Sequence, residues 1–156
     1  MGECSWARLT IGGPVSRRAL ADALETLVGC QLDECLQDGL VVVEDPDAAW
    51  GGFSELEAWL EARGIPFDLE SEARSGMWPD MLVHFRPERG RLEFASDDSH
   101  AEPVIRRSEV EAALWRCRSV RGVRLWLARA YPRVARLPLI RWSQEAATAA
   151  PPECGR

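Results

Sequence analysis

A chain of 156 residues and 17.4 kDa has the length of one domain. Its 46% hydrophobic and 28% charged residues are ordinary for a globular protein and exclude disorder throughout, a collagen-like repeat and a long coiled coil. The formal net charge is −6, and no apolar run approaches the roughly 18 residues of a membrane-spanning helix.

Trp6 to Ile11 alternates weakly and predicts a first strand, ended by Gly12-Gly13-Pro14. Ser16 is placed to cap a helix whose stripe is Leu20, Ala23, Leu24, Leu27 and Val28, with Gly29 as its stop. Cys30 to Asp38 is ambiguous, with Leu32 and Leu36 on one face if it is helical. Leu40 to Val43 is a short apolar run that fits a central strand buried on both sides, followed by a loop at Glu44-Asp45-Pro46-Asp47. Ser54 and Glu57 have the spacing of a capping box for a second helix, with Leu56, Trp59 and Leu60 as its stripe and Gly64 at its end. Strands at Phe67–Glu72, Asp80–Arg86 and Arg91–Ala95 predict an antiparallel meander, and Ser96 to Pro103 a polar loop.

Ser108 and Glu111 suggest a further capping box before a stripe of Val110, Ala113, Leu114 and Cys117. Gly122 is expected to break that segment, Val123 to Tyr131 to resume it, and a short helix or turn to run on to Leu139. The fold expected is α+β. About five mostly antiparallel strands have helices packed on one face, and a helical segment follows at the C-terminus. Residues 1–142 form the single domain, divided into an acidic body (1–100) and a basic helical segment (104–142). Residues 143–156 are expected to be a disordered tail.

Charge divides the chain more sharply than composition does. Residues 1–100 hold 8 Arg against 20 Asp and Glu, whereas residues 101–156 hold 11 Arg against 5 Glu. All basic residues are Arg, and there is no Lys or Asn, the mark of a GC-rich gene. Five cysteines, with no C-x-x-C spacing, read as reduced thiols. Met1 to Trp6 has neither a basic start nor an apolar core, so no secretory signal and a cytoplasmic location are expected.

Catalytic motifs are sparse. Gly12-Gly13 lies between a strand and a helix but matches no phosphate-binding fingerprint. Asp97-Asp98-Ser99-His100 places hydroxyl, imidazole and carboxylates side by side in sequence, which is not triad geometry. His84, in mid-strand, is expected to be a hydrogen-bonded sheet residue. An enzyme using His84 or His100 is the third reading of the function. No cofactor or metal is expected.

Acidic residues suggest a binding face. Glu55, Glu57 and Glu61 lie on the polar side of the second helix, and Asp68, Glu70 and Glu72 alternate along one strand about 7 Å apart. Such a row imitates the phosphates of a nucleic-acid strand and suits a basic groove on a partner protein. Trp50 and Trp78, in predicted loops, are candidate interface anchors. Arg116, Arg118, Arg121, Arg124 and Arg129, interleaved with Trp115 and Trp126, suggest a second reading, nucleic-acid binding. Against it stands the expectation that this basic helix docks back on the acidic body, burying Val120, Val123, Leu125 and Leu127.

The segments Cys4-Ser5-Trp6-Ala7-Arg8-Leu9-Thr10-Ile11-Gly12-Gly13 and Phe53-Ser54-Glu55-Leu56-Glu57…Gly64-Ile65-Pro66-Phe67 resemble small phage and mobile-element proteins over about the first 90 residues. The resemblance implies a bacterial or phage cytosolic origin and brings no catalytic residue. Small acidic proteins of that source include anti-CRISPR and antirestriction inhibitors. The leading expectation is therefore a non-enzymatic cytoplasmic protein that occupies a basic surface of a partner, with inhibition of a nucleic-acid-targeting defence system as its setting. No membrane association is expected, and the oligomeric state stays open.

Overall fold

A computed structural model describes residues 4–49, 52–72, 80–96 and 103–143. Its elements are β1 (Cys4–Ile11), β2 (Pro14–Val15), α1 (Arg17–Leu27), α2 (Leu32–Cys35), β3 (Leu36–Gln37), β4 (Leu40–Ala49), α3 (Ser54–Ala62), β5 (Phe67–Ser71), β6 (Met81–Arg86), β7 (Gly90–Ala95), α4 (Arg107–Cys117), α5 (Val120–Ala130) and β8 (Arg141–Trp142). Six strands form an antiparallel sheet in the order β3-β4-β1-β5-β6-β7, and β2 pairs with β8 in parallel. The α+β class is as expected, and β5-β6-β7 is the meander the alternation predicts.

Because both β4 and β5 run antiparallel to β1, they are parallel to each other, with β1 between them and α3 as the crossover. One face of the sheet is apolar by alternation. Ile11, Phe67 and Phe85 form one cross-strand row, and Leu9, Leu69 and Val83 the next. Leu20, Ala23 and Leu24 of α1 and Leu56 and Leu60 of α3 join this core. Each fully buried large side chain contributes about 1.5–3 kcal/mol, so these rows dominate stability.

Local chemistry sets the element ends. The Ser16 hydroxyl accepts from the Ala19 N–H at 3.3 Å, and Gly29 follows α1 at φ +79°. The expected loop at residues 44–47 is instead strand. Ser5 pairs with Ala48 and Ala7 with Asp45, so Trp6 faces two residues, Pro46 and Asp47. Pro46 has no N–H for the ladder, and a bulge is where a strand tolerates that loss. The two proposed capping boxes are replaced by other contacts. Glu57 accepts from the Phe53 N–H at 2.8 Å, and α4 starts two residues earlier, with Glu109 accepting from the Arg106 N–H at 3.2 Å.

The break between α4 and α5 lies at Arg118, at φ +46°, rather than at Gly122. Gly122 is in the first turn of α5, where a Cβ would lie 2.7 Å from the Cys117 carbonyl oxygen. Residues 132–140 form no helix. They run as an extended strap across one end of the sheet. Ala135 accepts from Arg86, Pro138 accepts from the Gly13 N–H, and the Ile140 N–H donates to Gly39. The expected tail from Ser143 onward falls, beyond that residue, outside the described residues, as does Asp97-Asp98-Ser99-His100.

Candidate functional site

The second face of the sheet carries polar side chains. Thr10, Asp68 and His84 form one cross-strand row on it, and Arg8, Glu70 and Leu82 the next. His84 Nδ1 lies 2.7 Å from Asp68 Oδ1. Arg86, only 4% exposed, donates to Asp68 at 2.8 and 3.3 Å and to the carbonyls of Phe67, Phe85 and Ala135. Burial pushes the Asp68 carboxyl up, but the hydrogen bonds from His84 and Arg86 outweigh it and hold the group below its ordinary value. His84 is thus the hydrogen-bonded sheet residue its position suggests.

A depressed carboxyl contributes stability that is present above its unfolded pKa and lost as the pH falls through the folded one. Stability is therefore expected to decline on acidification below about pH 4. Asp68→Asn should flatten that decline, as followed by urea denaturation across an acid pH series.

A second cluster commits more of the acidic residues. Glu57 is 5% exposed, and its carboxylate accepts from Arg91 as well as from the Phe53 N–H. Arg91 also donates to Glu61 at 2.8 Å and to Glu93 at 2.6 Å. Burial works against the Arg91 charge, and the three carboxylates outweigh it and raise its pKa. Of the six acidic candidates, Glu57, Glu61 and Asp68 are engaged inside the molecule. Glu55 and Glu72 are exposed, and Glu70 is half-buried. The structure therefore does not present the six as one free row. Trp50 and Trp78 fall outside the described residues.

The basic helices behave differently from the docking expectation. No residue of α5 is buried, and Val120 and Leu125 are 71% and 53% exposed. The hairpin rests on the second sheet face through a small aromatic contact. Tyr131 stacks on Phe94 at 5.9 Å between centroids, Trp126 meets Tyr131 edge-on at 6.1 Å, and Ala113 is buried beneath. A cleft of about 520 Å³ remains between hairpin and sheet, lined by Phe94, Trp126, Tyr131, Arg106, Glu109 and Arg116.

Both acids of α4 are already engaged. Glu109 accepts from the Tyr131 hydroxyl at 2.7 Å, and Glu111 pairs with Arg107 at 2.8 Å. Arg116, Arg118, Arg121, Arg124 and Arg129 are all exposed, and among the described residues none makes an ion pair. Among the described residues, no ion pair of these five arginines ties the hairpin to the body.

Helical spacing sorts the outward groups. Val120, Arg121, Arg124 and Leu125 share one side of α5, with Trp126 on the other. On α4 the stripe Val110, Ala113 and Cys117 turns inward, which places Trp115 opposite it, 86% exposed. Leu114, beside it, is 57% exposed. A tryptophan so open, next to apolar groups and unpaired arginines, is the feature that the loop-based choice of Trp50 and Trp78 passed over. Its phase relative to the Val110 stripe carried the signal.

Among the described residues no group of three His, Cys, Asp or Glu side chains is arranged to hold a metal ion, and no helix is long and apolar enough to cross a membrane. Compared with protein-family models, curated proteins and solved structures, the chain matches none.

Proposed function

We propose that this protein is a non-catalytic binding protein whose working surface is the outward side of the α4–α5 hairpin, and that its ligand is single-stranded nucleic acid. The observation that carries this reading is the exposed Trp115 beside exposed arginines that, among the described residues, pair with no carboxylate. Guanidinium groups hold phosphates by charge and hydrogen bonds, and an open indole offers a stacking surface that any base can use. The acidic body repels the same ligand, which confines contact to the hairpin.

A second reading keeps a partner protein with a basic surface, with the exposed Glu55 and Glu72 as its contacts and inhibition of a nucleic-acid-targeting defence complex as its setting. A phage or mobile-element origin suits either reading. The internal pairing of Glu57, Glu61 and Asp68 favours the hairpin.

Fluorescence anisotropy of a labelled single-stranded oligonucleotide, measured across a salt series, tests the proposal. Trp115→Ala should weaken binding by about 1–3 kcal/mol. The pair Arg121→Glu and Arg124→Glu should reduce the slope of log affinity against log salt by at least about 1.4, since each phosphate contact contributes about 0.7. These positions are exposed, so the fold should persist in both variants. Salt-independent binding, or unchanged affinity in both variants, would overturn the nucleic-acid reading. Capture of a basic protein that depends on Glu55 and Glu72 would establish the second.

A further inference from the structure

Cys30 and Cys35 carry no recognisable sequence motif, yet the fold brings them together. Cys30 precedes the single turn of α2, and Cys35 ends it. Their sulfurs lie 3.4 Å apart, with the Cys35 thiol donating to Cys30. The Cys30 N–H bonds to the Leu24 carbonyl at the end of α1, which fixes the segment. A disulfide between them would close this separation to roughly 2.0 Å.

The two thiols differ in access. Cys35 is 7% exposed, within the core. Cys30 is half-buried and lines a cleft of about 330 Å³ with Arg17, Glu25, Gln31 and Asp33. Arg17 and Asp33 pair at 2.7 Å, which leaves the Glu25 carboxylate to give the cleft a negative balance. Small anions are disfavoured there, and neutral or cationic molecules are admitted.

We propose that this pair is a thiol–disulfide exchange site, with Cys30 attacking a cationic low-molecular-weight disulfide and Cys35 resolving the product. The Cys30 thiolate attacks one sulfur of the small disulfide. The bond between its two sulfurs breaks, and one small thiolate leaves. Cys35 then gives its proton to solvent and attacks the Cys30 sulfur, releasing the second small thiolate. Two protein thiols are oxidised, and one disulfide is reduced to two thiols.

Burial, together with the hydrogen bond and charge of Cys30, pushes the Cys35 thiol up to about 12. Capping Cys30 in the first step removes both effects of that neighbour and eases the second. The order of attack thus follows from the geometry and is supported by the chemistry of the pair.

The test uses the full chain treated with cystamine or, separately, glutathione disulfide, followed by acid quench, alkylation and peptide mapping by mass spectrometry. Cystamine should link Cys30 to Cys35 about tenfold faster than the anionic glutathione disulfide does, and dithiothreitol should reverse the link. Cys35→Ala should accumulate a cysteamine adduct on Cys30, and Cys30→Ala should leave Cys35 reduced. Four results would overturn the proposal: a link to another cysteine, a persistent adduct in the wild type, no adduct on Cys35→Ala, or equal rates with the two reagents.

Discussion

Replacing Arg86 with Met is expected to cost about 3–5 kcal/mol of folding stability, the range for breaking a buried ion pair by removing one partner. Met keeps most of the side-chain volume, so the loss is electrostatic rather than a cavity. The guanidinium donates to Asp68 and to three backbone carbonyls, on Phe67, Phe85 and Ala135. Without it, Asp68 retains only His84 as a partner among these contacts, and the carbonyls lose a donor. The melting temperature should fall by roughly 6–20 °C. The double variant Asp68→Asn, Arg86→Met should lose less than the two single losses combined, because the first change removes the stranded charge. A loss below about 1 kcal/mol would mean that the cluster contributes little.

Gly12→Ala should be the next most damaging change, at about 3 kcal/mol, the upper end of the usual cost of overpacking. A Cβ at this position would lie 2.1 Å from the Pro138 carbonyl oxygen and 2.8 Å from Leu137 Cγ. Leu137 can rotate, but the carbonyl belongs to the strap backbone, which must lift as a unit. That movement strains the bonds from the Gly13 N–H to Pro138 and from the Arg141 N–H to Gly13, both 2.9 Å. It also pulls Ala135 from Arg86. Hydrogen exchange should show the amides of Ile140, Arg141 and Ser143 losing protection together with that of Gly13. Gly90→Ala, where a Cβ meets nothing within 4 Å but φ is +76°, separates backbone strain from collision and should cost less.

The elements that the sequence disclosed are those with an internal period or a side-chain cap. Leu20, Ala23 and Leu24 mark α1 because a helix buries i, i+3 and i+4 together, and Ser16 closes its start. The edge hairpin at β3 was harder to see, because two residues are too few to show alternation. Its signature was the turn itself: Asp38 and Gly39 both adopt positive φ, the requirement of a two-residue type I′ connection. The strap was illegible for another reason. Residues 132–140 have no period, and tertiary partners such as Gly13 and Arg86 satisfy their carbonyls. For the candidate site, the arginines and their missing acids were plain in the sequence. Whether those charges were spent could be known only from the partners that the fold gives to Glu57, Glu61 and Asp68.

The position of β1 has a consequence for the protein's synthesis. β1 needs two partners in the sheet, and both are made after it: β4 ends at Ala49 and β5 at Ser71. At roughly 5–20 residues per second, Leu9 and Ile11 wait several seconds before β5 is translated. Hairpins close in about 1–10 μs, so translation sets that delay. Until β4 is made both edges of this apolar strand are open, and from then until β5 arrives one edge still is, a state prone to pairing with a neighbouring nascent chain. The strap that closes over Gly12 and Gly13 comes only after residue 131, so the end of β1 is sealed after every strand of the main sheet has been made. Messages truncated before that point should yield chains that bind chaperones or aggregate, even with every strand of the main sheet already present.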